Sequence, residues 1–273
     1  MTTTTRRATL LCITALALAA SSLAAHDLFL KLATYFLPPN TAVRALLLNG
    51  TFSKSENAVA RDRFAELSLV GPGGRTALDT AALSARGDTT QLRFHTAGPG
   101  TYVVGLSVRP REIALSGKQF NDYLKEEGID DMLAERTRSG ALGEPAKERY
   151  AKHVKAILQV GATRSTDYGT VLGYAAEIVP LSNPYEAKRG DTLRFRCLIE
   201  GQPAAGLSLL AGGLTPRGAT IREARARTDS TGVASIRLTS AGRWYVKFIR
   251  MRHSSEPGIT HESQWATLTF EVR

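Results

Sequence analysis

Short segments of alternating apolar residues, each closed by a turn, recur along this chain and leave few architectures open. Examples are "AVRALLLNG", "AELSLVGPGG", "TQLRFHTAGPG" and "TYVVGLSVRP" before residue 110. After about residue 170 come "LGYAAEIVPLSNPY", "GDTLRFRCLIEGQPAAG", "TDSTGVASIRLTSAG", "RWYVKFIRM" and "WATLTFEV". Period-two alternation predicts half-buried strands, as with Tyr102, Val104, Leu106 and Val108, or Leu268, Phe270 and Val272. Gly201-Gln202-Pro203 and Thr228-Asp229-Ser230-Thr231-Gly232 supply the residues that tight reversals demand. "TAGPGTYVVGL" and "TSAGRWYVKFI" echo each other as a small-residue turn feeding a strand, which suggests two related units.

Between the two halves the pattern changes. Phe120, Tyr123 and Leu124 stand at helical spacing, and Pro145 precedes "AKERYAKHVKAILQVG". There Tyr150, Val154, Ile157 and Leu158 form a helical apolar stripe. Lys147, Arg149, Lys152 and Lys155 would give a basic outer face, and Gly161 a stop. The expected fold is therefore mainly β: two β-sandwich domains of immunoglobulin or carboxypeptidase-regulatory-like type, with a short helical insertion. The expected divisions are 1–25 signal peptide, 26–115 N-terminal sandwich, 116–165 helical connector and 166–273 C-terminal sandwich.

The N-terminal segment has the layout of a secretory signal: Arg6 and Arg7, the apolar run "ATLLCITALALAA", then small residues ending in Ala24 and Ala25. The run is shorter than the roughly 20 residues of a membrane span, and no later stretch replaces it. The mature chain is expected to be periplasmic, with no transmembrane segment. A cut after Ala25 makes His26 the first residue, and a cut after Ala24 makes it the second. A terminal histidine joins an amine to a ring nitrogen, a chelate that suits borderline divalent metals.

Lysine and arginine number 35 against 25 acids, a formal +10 that falls to +8 when Arg6 and Arg7 leave with the signal. Such a surface suits anionic lipid or lipopolysaccharide, and export argues against nucleic acid. Cys12 lies in the signal, so Cys197 has no internal partner and is expected on a core face with Leu193, Phe195 and Ile199, while Arg194 and Arg196 point outward.

Catalytic signatures are missing. No glycine loop opens a helix after a strand, "VGPGG" reads as a turn, and Gly-x-Ser-x-Gly does not occur. The pairs Glu126 with Glu127 and Asp130 with Asp131 read as solvated acids at a helix end, so the protein is expected not to be an enzyme. Among the histidines, His95 lies opposite the Leu92 and Phe94 face, and His153 reads as a surface residue of the basic helix. His253 and His261 fall in "RMRHSSEPGITHESQW", a loop that also holds Met251, Glu256 and Glu262 and that would close a site begun by His26.

Taken in order, the "AHD" start, "FNDYLKEEGI", "RYAKHVKAILQVG", "LGYAAEIVPLSNPY", "GDTLRFRCLIEGQPAAG", "TDSTGVASIRL" and "WATLTFEV" resemble the DUF4198 family of bacterial exported proteins. That family is associated with the periplasmic component of nickel and cobalt uptake systems. The resemblance implies a non-catalytic, mostly β protein that binds a transition-metal ion or metal complex for an inner-membrane importer. Nickel or cobalt follows from the family, while the ligand set also admits copper or zinc. His26 and Asp27 carry over from the start motif, and His253, His261 and Glu262 are candidates to complete the metal site. The family often has Phe-Trp after the motif, where this chain has Leu28 and Phe29, and a histidine before the late methionine, where it has Arg250. The alternative is a cell-envelope interaction module that binds a protein or anionic polymer through the basic helix and an exposed "RWYVKFIRMR" edge. The intact mass of the exported chain is expected to give His26 or Ala25 as first residue; a chain still carrying Arg6 and Arg7 overturns the processing step.

Overall fold

The computed structural model describes residues 26–273. The expected signal segment, with Cys12, lies outside the described residues. From the N-terminus come β1 (Asp27–Lys31), β2 (Phe36–Leu37), β3 (Ala42–Gly50), β4 (Phe64–Gly71), β5 (Gly74–Ala77), β6 (Leu83–Arg86), β7 (Thr89–His95), β8 (Gly100–Val108) and β9 (Arg111–Leu115). Helices α1 (Gly117–Glu126) and α2 (Asp130–Arg138) follow, then the long β10 (Ala146–Val160). The rest comprises β11 (Ala176–Pro180), β12 (Thr192–Ile199), β13 (Gln202–Pro203), β14 (Ser208–Leu214), β15 (Thr220–Arg227), β16 (Val233–Arg237), β17 (Gly242–His253) and β18 (His261–Val272). The fold is mainly β, as the alternation predicts.

Three sheets form. β1-β3-β7-β6 makes one, and β11-β12-β13 with β16 beside β12 makes another. Between them runs a central sheet in the order β15-β14-β17-β18-β10-β8-β4-β5, with β2 and β9 also pairing with β10. The outer sheets cover opposite faces of it, as alternation along β18 shows. Thr267 and Thr269 donate to the Leu28 and Leu30 carbonyls of β1, whereas Phe270, on the other face, meets Phe195 of β12 with ring centroids 6.0 Å apart. The central sheet thus carries strands from both halves of the chain.

β10 corrects the helix expected at 145–160. It pairs in parallel with β18 and antiparallel with β8 and β9, so its second half is buried on both faces. A strand covered on both sides needs no alternation, and its continuous apolar run also satisfies a helical stripe. Tertiary pairing outweighs the local propensity of its Ala, Lys and Glu residues. The consequences reach single residues. His153 is buried, not on a surface: its Nδ1 lies 2.9 Å from Ser107 Oγ, its Nε2 lies 2.9 Å from Gln264 Oε1, and its ring stacks on Tyr174. Lys152 and Lys155 are buried as well, so the basic helical face does not exist. The first half of "RWYVKFIRMR" is likewise no edge, because Arg243–Lys247 lie between β14 and β18, while Phe248–Arg252 pair with β18 alone.

Other expectations hold. α1 is closed by a capping box, in which Gln119 Oε1 accepts from Ser116 N and Ser116 Oγ accepts from Gln119 N. Its buried Phe120, Tyr123 and Leu124 pack with Ile249, Met251 and Trp265 on the central sheet. Leu193, Phe195 and Cys197 face the core. The β12–β13 hairpin turns through Glu200 (φ 48°) and Gly201 (φ 73°), the left-handed pair that a two-residue loop requires. Among the described residues no helix is long and apolar enough to cross a membrane.

One ion pair ties the layers. Lys155 and Glu177 are both fully buried at 3.1 Å, and Glu177 also accepts from the backbone N–H groups of Leu172, Gly173 and Tyr174. Removing one partner strands a charge in the core. Glu177→Ala is expected to cost about 3–5 kcal/mol, read as a lower urea midpoint, whereas Lys155→Met with Glu177→Gln, which removes both charges and keeps an acceptor for those N–H groups, should recover part of that loss.

Candidate binding cleft at the start of the first strand

His26 immediately precedes β1, and β1 is fixed by its pairing with β3, where Asp27 lies opposite Gly50. The His26 ring places Nε2 2.9 Å from Glu56 Oε2, and its carbonyl accepts a hydrogen bond from Lys152 Nζ. Ring and main chain are therefore both held. Asp27 Oδ2 accepts from Lys247 Nζ, while Oδ1 is buried with no hydrogen-bond partner. Lys247 reaches on to Glu127 Oε2 at 2.7 Å, where Glu127 caps the C-terminal end of α1.

This constellation borders a cleft of about 350 Å³. Its floor is an aromatic cluster in which Phe29, Phe52 and Tyr245 have centroids 5.0–5.3 Å apart, and Glu126 and Glu127 join its wall. Charge is crowded there. Burial, reinforced by Asp27 and only partly opposed by Lys247, raises Glu127 to about 7. Burial works against the Lys247 ammonium, but Asp27 and Glu127 together hold its pKa well above the usual value. Lys152 goes the other way, lowered by burial to about 8 against the pull of Asp27, Glu148 and Glu127. Glu148, beneath α1, is raised by burial; its Oε1 accepts from Tyr123 and Ser263, and its Oε2 has no partner.

The five residues assigned to a metal site separate into two groups. Lys152 lies opposite Trp265 in register, and its bond to the His26 carbonyl puts His26 near that level of β18. His261 is four residues away along the strand, about 13 Å at the rise of an extended chain. His253 and His261 are not loop residues: they end β17 and begin β18 as a cross-strand pair, with ring centroids 4.9 Å apart. His253 Nε2 meets Glu135 of α2 at 2.7 Å. His261 Nδ1 lies 2.7 Å from Thr260 Oγ1, its Nε2 is buried without a partner, and burial, followed by the nearby His253, lowers its pKa to about 4. Glu262 follows His261 directly, so it points to the other face of the strand, where Arg252 and Ser254 engage it. Among the described residues no three His, Cys, Asp or Glu side chains converge to hold an ion. The donors at the cleft mouth are one imidazole and several carboxylates, a set that by type could contact a borderline dication.

Sequence reasoning found His26 and Asp27 but missed their partners. Glu127 reads as a solvated acid in the sequence, yet it is buried against Asp27 and Lys247. Glu56, Lys152, Tyr245 and Lys247 arrive from distant strands and loops, and no local spacing marks them.

A family model described as "Domain of unknown function (DUF4198)" matches residues 23–252. No curated protein matches the chain. Solved structures similar to it include a tetra-tandem repeat from the extending region of a large adhesion protein, at 11% identity and TM-score 0.23. That match covers 90% of this chain, which spans about half, 49%, of the adhesion chain. Trypsin-activated alpha-2-macroglobulin from Escherichia coli matches at 11% identity and TM-score 0.22, over 90% of this chain and 15% of that one. Two fibronectin type-III domains of chicken tenascin match at 13% identity and TM-score 0.22, over 90% and 98%. At these scores the likenesses support no argument.

Glu127 sets a pH dependence. Its folded-state pKa lies above the ordinary 4.5, so the folded chain holds the proton more tightly, and stability is expected to fall as pH rises from about 4.5 to about 7. The loss is on the order of 3 kcal/mol. Urea midpoints across that window should show it in the native chain and not in Glu127→Gln.

Proposed function

The chain belongs to the DUF4198 family, and from that premise we propose an exported, periplasmic, non-catalytic protein that holds a transition-metal ion or small metal complex at the His26 cleft. The reading carries forward nickel or cobalt as the metal and delivery to an inner-membrane importer as the role. The observation that supports it best is the fixed His26 imidazole at the mouth of a cleft lined also by Asp27, Glu126 and Glu127.

Each residue has a distinct part. His26 is the anchor, and Glu56 orients its ring, as carboxylates commonly do for ligating histidines. Asp27 does not act as a free ligand, because Lys247 occupies one of its oxygens; it supplies negative field at the cleft. Fewer than three side-chain donors converge there, so the ion needs donors of its own, as in a chelate, or the amine released by trimming before His26. His253 and His261 are not part of this cleft.

A second reading, an envelope module that binds an anionic partner, is favoured by the exposed arginines of β12 and β16.

Nickel or cobalt titration of the processed chain is expected to show binding that His26→Ala weakens by tenfold or more. Glu56→Gln should weaken it by roughly 10–100-fold, the usual effect of losing an orienting partner. His253→Ala should leave it unchanged. Equal affinity in His26→Ala overturns the reading.

A further inference from the structure

The inward turn of Leu193, Phe195 and Cys197 on β12 forces Arg194 and Arg196 onto the outer face of the β11-β12-β16 sheet. On β16, Ile236 faces the core, and Ser235 and Arg237 face out. Register makes these one array: Arg194 lies opposite Ser235, and Arg237 lies opposite Thr192. Arg194 and Arg196 are thus about 6.6 Å apart along the strand, and Arg237 is a diagonal neighbour of Arg194 at about 7–8 Å. The adjoining turn extends the array, since Gly190 N donates to the Leu238 carbonyl and Leu238 N donates to that of Asp191, which sets Lys188 and Arg189 at the Arg237 end.

None of these five cations makes an ion pair among the described residues, although nine other lysines and arginines do. The nearby acids are committed to the backbone: Asp191 Oδ2 accepts from Lys188 N, and Asp229 Oδ1 accepts from Thr231 N and Val233 N. Clustered like charges on neighbouring strands destabilise a sheet. The core requires only that these side chains point outward, not that they be cationic.

We propose that this outer face docks onto an anionic lipid surface through Arg194, Arg196 and Arg237, with Lys188 and Arg189 at its margin. The charges spread in two dimensions over a sheet, which matches a layer of headgroup phosphates better than a single linear polyanion. Guanidinium forks suit phosphate oxygens in pairs. The array carries no exposed large apolar side chain, so attachment is superficial and electrostatic. It is independent of the His26 cleft, which lies on the other side of the central sheet.

Sedimentation with phosphatidylcholine vesicles containing one quarter phosphatidylglycerol tests it. Binding is expected with these vesicles, absent with pure phosphatidylcholine, and diminishing as salt rises past the screening range. Each basic residue near such a surface contributes about fivefold. R194Q/R196Q/R237Q is therefore expected to bind about 100-fold more weakly, and R194K/R196K/R237K to keep most of the affinity. The control removes equal charge from exposed cations that are ion-paired, K118Q/R225Q/R252Q, and should bind nearly as wild type does. If the glutamine triple does not fold, R196Q alone should show the fivefold loss. No preference for anionic vesicles, an equal loss in the control, or tighter binding to soluble heparin than to vesicles each overturns the proposal.

Discussion

β10 holds the molecule together because it is buried from both sides and still carries charge. Between Val154 and Val160 it offers an almost continuous apolar run to two layers at once. Lys152 and Lys155 fall on opposite faces, and each finds an oxygen in a different layer: the His26 carbonyl above, and Glu177 with the Thr170 carbonyl below. A buried ammonium without a partner costs several kcal/mol. Both contacts are therefore demanded by the strand's burial, and they position the start of β1 on one side and the 170–177 segment on the other.

The electrostatics of the cleft follow from this placement. Lys152 and Lys247 face Asp27, Glu127 and Glu148, so three carboxylates, Glu148 buried and the other two half-buried, compete for two cations. Burial raises Glu127 and Glu148, which lets a proton serve as the missing positive charge. A dication entering beside Asp27 and Glu127 would supply that charge instead and expel the proton. Under the proposed reading, cation binding at this cleft would be linked to release of the Glu127 proton.

The mainly β character, the inward face of β12 and the helix at Phe120–Leu124 were legible in the sequence, because each follows from a local period imposed by one covered face. β10 was not, since burial on both faces erases the alternation that separates strand from helix. That one misreading hid more than a strand: it placed His153, Lys152 and Lys155 on a solvated surface, when the first is a satisfied core histidine and the other two anchor the layers. At the cleft, the His26-Asp27 start was visible as a motif, but its partners Glu56, Glu127, Lys152 and Lys247 were not. Their proximity comes from strand order, with β1 lying over β10 and β18 and α1 ending beside β17, and no sequence spacing encodes that order.

Layering also sorts the two surfaces that remain available to partners. The cleft is built from β1, α1 and β17 residues on the face of the central sheet that β1 covers. The arginines of β12 and β16 lie outside the layer that covers the other face, reached through Phe195 and Phe270. A chain resting on an anionic surface by those arginines would hold its cleft turned away from that surface and open to solvent. Neutralising the arginines would then relieve their mutual repulsion without touching the His26–Glu56 pair, so attachment and ligand binding can vary independently while sharing one rigid sheet between them.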